Sequence, residues 1–376
     1  MVRPIIPLTK PFFDESELRQ IRGALMSGWV SQGPKTREFE GKAAKYLGKK
    51  NAVAVTNCTA ALHLALLSLG VGKGDEVIVA DYTYPATAHA VLYCGAKPVF
   101  VDVDERTYNI DPTQVERRIT KKTKAIIPVH TFGQPAKIDA VMEIASKHDI
   151  SVVEDAACAF GAKYKGKYAG TFGDVGCFSF HARKGITTGE GGMVVTDDKK
   201  LSDKIRRLST FGVSGAWSRE KDKLFTIPQF TDIGFNYKMS DIAAAVGVAQ
   251  MRRLKDIINR KQKLAKYWGE KIESIPHITP PFVDKNAEHI YQSYVSTVDE
   301  SINRNKLITL LMKKGIQTQI GTYSCHIQPV YRSKAVCPVS AGLFNRCLAL
   351  PMYYKLLEED IDYAVKHIKK AVEALS

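Results

Sequence analysis

Between Asn51 and Val195 the chain alternates short runs of β-branched residues with runs whose apolar residues recur at helical spacing. The strand-like runs are NAVAVT, DEVIVA, KPVFVDVD, KAIIPVH, SVVEDAA, DVGCFSFH and GGMVVTDD. The helix-like runs between them include TAALHLALLSLG, TAHAVLYCG and IDAVMEIASKHD. This alternation predicts an α/β fold, with a mostly parallel sheet flanked by helices on both faces. Ligands of such sheets bind at the carboxyl ends of the strands.

The pattern changes after Asp197. A helix from about residue 199 leads into a polar segment, residues 212–230, whose length is typical of a lid or a binding loop. A long helix follows from about residue 240 to 271, and short strands and two further helices come after it. We therefore expect an N-terminal arm and a large domain over residues 1–245, and a smaller α+β C-terminal domain over residues 246–376.

The basic surplus of the chain restricts its partners. Its 376 residues include 54 Lys+Arg against 39 Asp+Glu, a formal net charge of +15 that favours anionic partners such as phosphorylated small molecules. The densest basic groups, at 117–124 and 252–266, lie on predicted amphipathic helices or their ends, so we expect solvated faces and no nucleic-acid partner. Seven cysteines without a C-x-x-C pair, no signal peptide and no membrane-length apolar run predict a reduced, soluble, cytoplasmic protein. Cys325, His326 and Cys337 lack a second ligand pair, so we expect no metal.

Three predicted strand ends carry chemically useful residues. The turn Asn57–Ala60 opens a helix, where backbone N–H groups and the Thr59 hydroxyl suit a phosphate, although an ordinary helix N-cap explains the turn equally well. Tyr84 follows DEVIVA, where its ring is suited to cover a planar ligand or simply to pack in the loop. Asp155 ends an apolar strand, and a carboxylate there is costly unless a positive group meets it.

A single lysine, Lys184, lies between the strand DVGCFSFH and the G-E-G-G run at 189–192. Taken alone it is an ordinary solvated lysine, and neither G-x-x-x-x-G-K-[ST] nor G-x-G-x-x-G is present to indicate a nucleotide loop. A lysine, an acid, an aromatic ring and a phosphate cradle at one sheet edge are, however, the set that pyridoxal 5′-phosphate requires. The lysine forms the Schiff base, the acid faces the pyridinium nitrogen, and burial near the cationic ring would favour a partly neutral lysine.

These motifs resemble the DegT/DnrJ/StrS family of pyridoxal-phosphate sugar-nucleotide aminotransferases, which have the aspartate aminotransferase fold, fold type I. The resemblance covers nearly the whole chain, and the number and order of its motifs argue against a chance match. The motifs are WVSQGPKTREFE, NCTAALHLAL, TYPAT, EDAACAFGA, FSFHARKGITTGEGG, GFNYKMSDIAAAVGVAQ, HIQPVY and LALPMY.

The resemblance implies a role for each matched position. Lys184 would be the Schiff-base lysine and proton shuttle, and Asp155 would face the pyridine nitrogen. Asn236 would reach the phosphate of the neighbouring subunit's cofactor, which implies a homodimer with shared active sites. The remaining implied roles are ring stacking by Tyr84, phosphate binding by Thr59, Ala60 and Ser179, and substrate binding by Trp29, His181, Glu190 and the 212–230 loop.

The implied reaction moves an amino group from L-glutamate to a nucleotide-linked keto sugar in amino-sugar biosynthesis. The pattern F-H-x-x-K-x-x-T-T-G-E-G-G resembles members that act on 4-keto-6-deoxy sugars, whereas members acting at carbon 3 more often have tyrosine at the His181 position. The alternatives that stay open are a 3-keto sugar or keto-inositol acceptor, glutamine as donor and a DNA-binding regulator. Two positions depart from the commonest pattern, Cys158 in place of histidine or glutamine and Arg183 before the lysine, and either could alter the sugar pocket.

Overall fold

The structure is a computed structural model that describes residues 5–214 and 227–376. Its α-helices there are α1 Glu15–Met26, α2 Pro34–Leu47, α3 Cys58–Ser68, α4 Ala86–Tyr93, α5 Pro112–Val115, α6 Ile138–Lys147, α7 Lys199–Ser209, α8 Asp241–Ile272, α9 Arg304–Met312, α10 Pro338–Arg346 and α11 Glu358–Glu373. Its strands there are β1 Asn51–Val55, β2 Glu76–Ala80, β3 Tyr82–Thr83, β4 Lys97–Val101, β5 Thr123–Ile127, β6 Ser151–Asp155, β7 Lys163–Tyr164, β8 Lys167–Tyr168, β9 Val175–Ser179, β10 Gly192–Thr196, β11 Val213–Ser214, β12 Gln229–Phe230, β13 Ile278–Thr279, β14 Ala287–Glu288, β15 Tyr294–Val298, β16 Gln319–Ile320, β17 Tyr323–Ser324 and β18 Cys347–Leu350.

A seven-stranded sheet in the order β1-β10-β9-β6-β5-β2-β4 organises the larger part of the chain. Four of its pairings are parallel, which confirms the predicted mostly parallel α/β sheet, and β10 alone runs antiparallel to both of its neighbours. Helices cover both faces of this sheet. The strands are therefore buried on both sides and are rich in apolar residues. Leu62 and Leu64 of α3 pack with Val79 on one face, and Phe39 of α2 packs with Phe178 on the other.

A four-stranded antiparallel sheet, β13-β15-β18-β16, forms the smaller α+β part of the molecule. Its core joins Trp268 of α8, Leu307 of α9 and Ile361 of α11. Ile6, in the N-terminal arm, packs into the same core and bridges to Ile316. Helix α8 is continuous across the division at 245/246, so both parts are built onto one helix and the domain limits stay a proposal.

The structure bears on the expected solvated face of the basic stretch 252–266 and on the expected 212–230 loop. The solvated face expected for the basic stretch 252–266 is right for residues such as Lys255 and Lys263 but wrong for Lys261, whose exposed fraction is 5%. The expected 212–230 loop is described only at its ends, where β11 pairs with β12, and residues 215–226 lie outside the described ranges. No helix in the described ranges is long and apolar enough to cross a membrane.

Candidate active site

The first turn of α3 lies at the carboxyl end of β1. Asn57 is the N-cap, and its side-chain oxygen accepts a hydrogen bond from the Ala60 N–H at 2.8 Å, while Thr59 is half-buried in the same turn. Gly192 of β10 supports this turn from the side, since a Cβ built on it would lie 2.4 Å from the carbonyl carbon and oxygen of Asn57. The glycine therefore lets the strand and the helix start approach closely, and the N–H groups of the turn end at the sheet edge.

Strand β6 ends in two carboxylates that point to opposite faces of the sheet. Glu154 accepts a 2.9 Å hydrogen bond from His130 Nε2 and three more from the backbone N–H groups of residues 170, 172 and 173. His130 Nδ1 accepts from Ala136 N–H, which leaves the ring proton on Nε2 for Glu154. Burial raises the pKa of Glu154, but these donors outweigh it and the net pKa is lowered. Glu154 is thus fully occupied within the protein.

Asp155, on the other face, has room for an external partner. Its Oδ2 accepts from the Thr87 hydroxyl at 2.8 Å and its Oδ1 from the Ala157 N–H at 3.1 Å. The side chain is buried, yet a carboxylate has about four lone-pair sites, so these two donors do not exhaust it. Thr87 belongs to the first turn of α4, three residues after Tyr84, and so links the acid to that loop.

Lys184 is half-buried, and its Nζ lies 3.1 Å from the Cys158 sulfur. Burial lowers the pKa of Lys184, but interaction with Cys158, and more weakly with Cys58 and Asp155, outweighs burial and raises the net pKa above its ordinary value. The partly neutral lysine expected from the sequence therefore does not describe the cofactor-free chain. Lys184 and Asp155 interact electrostatically without forming an ion pair within 4.0 Å.

Tyr84 and Ser179 occupy neighbouring positions at the strand ends. Tyr84 is 67% exposed, and within residues 5–214 and 227–376 its ring forms one edge-type contact, with the Tyr323 ring at a centroid distance of 6.1 Å, so it is not packed inside the loop. Ser179 ends β9, where its hydroxyl is buried and accepts from the His181 N–H at 3.3 Å. An open aromatic face and a hydroxyl are thus available at the edge that carries Asp155.

The remaining predicted positions surround this edge. His181 Nε2 lies 3.6 Å from Glu190 Oε1, and the backbones of His181 and Gly189 form a bridge that closes the turn holding Lys184. Asn236 is exposed and accepts a hydrogen bond from the Lys238 amine. Trp29 lies against Gly33, which precedes α2, since a Cβ built on Gly33 would lie 2.7 Å from the Trp29 ring. The Lys184 amine itself donates to the Cys158 sulfur.

The residues at this edge fit pyridoxal phosphate. Asp155 is a buried anion with free lone pairs, which suits a protonated ring nitrogen. The Lys184 amine is within reach of the same region without being paired to that anion. The first turn of α3 and Ser179 supply N–H and hydroxyl donors for a phosphate, and Tyr84 offers the uncovered ring. We retain the predicted roles of these residues as proposals.

The sequence did not indicate Thr87 or Lys261 as parts of the site, and it singled out Cys158 without its contact to Lys184. Thr87 is part of the TYPAT motif, and its spacing of three residues from Tyr84 on a helix start is a signal that could have indicated it. The contact of Cys158 with Lys184 has no local signal, because 26 residues separate them. Lys261 lies near Cys158, its Nζ donates to the Gln292 carbonyl at 3.2 Å, and burial lowers its pKa to about 8.

The cysteine and histidine near the C-terminus lie in a different cluster. Ligand atoms of Asp81, His326 and Cys337 are within 4.8 Å of one another. Asp81, however, already accepts hydrogen bonds from the Ser324 and Ser340 hydroxyls and from the backbone and ring nitrogens of His326. The four donors occupy the carboxylate, so the cluster works as a hydrogen-bond network that ties β17 and α10 to the end of β2.

Comparisons with known proteins agree with this arrangement. Residues 11–369 match the model described as the DegT/DnrJ/EryC1/StrS aminotransferase family. The spore coat polysaccharide biosynthesis protein SpsC of Bacillus subtilis is 38% identical over 378 residues, 98% of this chain and 97% of that protein. The GDP-perosamine synthase of Caulobacter vibrioides is 38% identical over 370 residues, 96% of this chain and 97% of that protein.

Solved structures share the fold over almost the full length. A Streptococcus pneumoniae protein assigned as a sugar aminotransferase, in its PLP form, superposes with a TM-score of 0.92 at 30% identity, covering 99% of this chain and 100% of that one. The aminotransferase from Psychrobacter cryohalolentis superposes with a TM-score of 0.91 at 31% identity, covering 99% and 100% of the two chains.

Proposed function

The chain belongs to the DegT/DnrJ/EryC1/StrS aminotransferase family, and we propose that it moves an amino group from L-glutamate to a nucleotide-linked 4-keto-6-deoxyhexose. Membership confirms the predicted class, a pyridoxal-phosphate-dependent aminotransferase of sugars. The donor, the carbon that accepts nitrogen and the residue roles are our proposals.

One observation carries the proposal: a buried carboxylate and a half-buried amine share the sheet edge without pairing. Asp155 and Lys184 carry opposite charges and interact electrostatically, so a direct ion pair would be the expected outcome. Asp155 instead bonds to Thr87, and Lys184 lies against Cys158. The two groups are thereby held apart, as required if a ligand ring is to lie between them with its nitrogen toward the acid.

The protein's own residues then divide the work. Pyridoxal phosphate, when bound, supplies an aldehyde carbon that accepts nitrogen and a ring that takes up electrons. Lys184 holds and moves protons at Nζ, and a group that alternates between base and acid must release its proton readily. Asp155, kept in place by Thr87, holds a proton on the ring nitrogen through its negative charge. Tyr84 covers the ring and limits the access of water.

Donors at two strand ends would anchor the phosphate. Thr59 and Ala60 lie in the first turn of α3, where the backbone N–H groups and the positive end of the helix attract anions. Ser179 adds a hydroxyl from β9. Together these donors would hold the phosphate at the strand ends that also carry Asp155 and Lys184.

The acceptor is proposed from the motif, the charge and the relatives. The His181 to Gly192 segment has the pattern that resembles 4-keto-6-deoxy acceptors, and His181 and Glu190 lie together at the outer side of the Lys184 turn. The net charge of +15 suits a diphosphate-linked substrate. The 38% identical relative named GDP-perosamine synthase makes a GDP-linked sugar the first acceptor to test.

We further propose a homodimer in which Asn236 completes the partner's site. Asn236 is exposed, and the neighbouring apolar side chains Phe211 and Ile233 are 48% and 92% exposed, an arrangement that suits burial against a second copy. Co-expression of Lys184→Ala with Asn236→Ala tests it, since a mixed dimer with shared sites regains one intact site. Activity no higher than the mean of the two parent variants would contradict the sharing.

The first test is an absorbance spectrum of the purified protein with pyridoxal phosphate, before and after L-glutamate. We expect a visible band that L-glutamate removes, that Lys184→Ala lacks, and that the control Lys334→Ala, at an exposed lysine, retains. A wild-type protein that forms no band would refute the cofactor assignment. A band insensitive to L-glutamate would refute L-glutamate as the donor. Sugar nucleotides that carry the keto group at carbon 3 or at carbon 4 then decide the acceptor.

A further inference from the structure

The sulfur of Cys158 is the direct partner of the Lys184 amine. The distance between Nζ and Sγ is 3.1 Å, and Cys158 follows Asp155 by three residues, in the turn after β6. Cys158 is half-buried and is a free cysteine, so its thiol is available to that amine. A thiol beside a lysine amine can transfer its proton to the nitrogen and become a thiolate, which neither serine nor glutamine does.

The backbone around this pair is closely packed. A Cβ on Gly133 would lie 3.2 Å from the Cys158 carbonyl oxygen and 2.9 Å from the Gln292 nitrogen, so these three segments touch. Gln292 donates to the Arg183 carbonyl at 2.8 Å, and its own carbonyl accepts from Lys261. This network fixes the backbone before Lys184 relative to Cys158, so the short contact does not depend on a freely rotating loop.

Other ionisable groups facing the pair come from each packed element. Lys261 of α8 lies on the Cys158 side, and it is the second cation near the sulfur. The segment of Lys184 itself contributes His181 and Arg183. The remaining groups are Asp155 of β6, Cys58 of α3 and Cys177 of β9. Burial raises the pKa values of the Cys58 and Cys177 thiols, and Asp155 forms no ion pair with the amine within 4.0 Å. The Cys158 sulfur is the group in direct contact with the amine.

We propose that Cys158 is a positioning residue for Lys184: its sulfur takes the negative charge and holds the lysine as an ammonium ion whenever the amine is not bonded to the cofactor. This inference rests on the proposed function of Lys184. The proton moves from sulfur to nitrogen when the amine is released and returns to sulfur when the amine attacks a carbonyl carbon. The exchange is internal, so it consumes no external acid or base.

The charge on the Cys158 sulfur should therefore alter the rate at which the protein takes up pyridoxal phosphate. Attack on the aldehyde requires the neutral amine, and each unit by which the pKa of an amine changes alters its neutral fraction tenfold well below that pKa. A sulfur anion beside Lys184 therefore slows uptake near neutral pH, while it keeps the released amine at the site. Removal of the anion should accelerate uptake and displace its pH dependence to lower pH.

The test compares wild type, Cys158→Ser and Cys158→Asp, each full-length and stripped of cofactor. Serine is nearly isosteric with cysteine and stays neutral. Aspartate is less polarisable than a thiolate but carries the same negative charge. The visible band is followed after mixing with pyridoxal phosphate from pH 6 to 9. We expect severalfold faster uptake at pH 7.5 and a profile displaced to lower pH for Cys158→Ser, and a wild-type profile for Cys158→Asp. Coincident wild-type and serine profiles, or equal displacement in both variants, would overturn the proposal.

A second readout does not involve the cofactor. Trace labelling with acetic anhydride measures the neutral fraction of Lys184 by peptide mass spectrometry, with the exposed Lys334 as internal reference. We expect Cys158→Ser to raise the labelling of Lys184 severalfold at pH 7.5 while the labelling of Lys334 is unchanged. If wild type takes up no cofactor, the proposed function fails, and labelling still decides the Cys158 inference. Unchanged labelling with normal uptake refutes the inference alone.

Discussion

Substitution of Gly192 by alanine tests whether the packing of β10 against α3 shapes the phosphate end of the site. A Cβ there would lie 2.4 Å from the Asn57 carbonyl carbon and oxygen and 2.8 Å from the Cys58 nitrogen. The shortest of these separations is 1.0 Å less than the 3.4 Å at which ordinary contact begins. All three neighbours are backbone atoms, which no side-chain rotation can move aside, so the first turn of α3 must retreat by about that distance.

The expected magnitudes follow from this displacement. Overpacking in a closely packed interior costs about 1–3 kcal/mol of unfolding free energy. A retreat of the turn also weakens hydrogen bonds to a charged phosphate, each worth about 1.5–3 kcal/mol, so cofactor affinity should fall about 10- to 100-fold. The control is Gly41→Ala on the exposed side of α2, where a Cβ meets nothing within 4 Å and alanine should stabilise the helix by about 0.5–1 kcal/mol.

Two measurements separate the effects of Gly192→Ala. Urea unfolding gives the change in stability, and titration of the stripped protein with pyridoxal phosphate gives the affinity. Loss of stability with wild-type affinity would show that the contact does not shape the cradle. No change in either quantity would refute the packing argument itself.

Three further predictions concern single side chains. Asp155→Asn should keep the Thr87 contact but lose the charge, and so lower kcat by about 10²–10³, with little change in urea unfolding; a wild-type kcat would contradict its role. Burial lowers the pKa of Lys261 from 10.5 to about 8, so Lys261→Met should raise the unfolding free energy at pH 7 by up to about 3 kcal/mol, reduced by the loss of the hydrogen bond to the Gln292 carbonyl. The folded chain binds fewer protons there between pH 8 and 10.5, so this gain must shrink as pH rises through that window, and a pH-independent gain would contradict it. Tyr84→Ala should weaken cofactor binding about threefold to tenfold but change unfolding free energy by less than about 0.5 kcal/mol, whereas Tyr93→Ala, at an exposed tyrosine of α4, should leave binding unchanged.

The order of elements in the larger part of the chain was readable from the sequence. Six strands of the seven-stranded sheet fall within a predicted apolar run, and β5 begins one residue before its run, because strands buried on both faces are rich in apolar residues. The antiparallel direction of β10 also had a signal, since residues 180–191 contain no helix-like run, and a parallel return is usually made through a helix. The strands of the smaller sheet were harder, because β13 and β16 are only two residues long.

The sequence also indicated several residues of the candidate active site. Strand ends at one edge brought Asp155, Tyr84 and Lys184 into consideration together, and the family motifs added Asn236 and the substrate-facing positions. The sequence did not separate the adjacent acids Glu154 and Asp155 by structure. Only the fold shows that Glu154 has four internal donors, whereas Asp155 keeps free lone pairs.

Which charges are buried was decided by tertiary structure alone. Lys261 belongs to a basic stretch whose periodicity is that of an amphipathic helix, and periodicity identifies the faces of a helix but not what packs against each one. In the fold, Lys261 of α8 donates a hydrogen bond to the Gln292 carbonyl and interacts electrostatically with Cys158. The contact between Cys158 and Lys184 likewise joins two turns that different strands carry to one edge. Local sequence determines where strands and turns form, whereas the charge state of a group depends on neighbours that only the folded chain brings near.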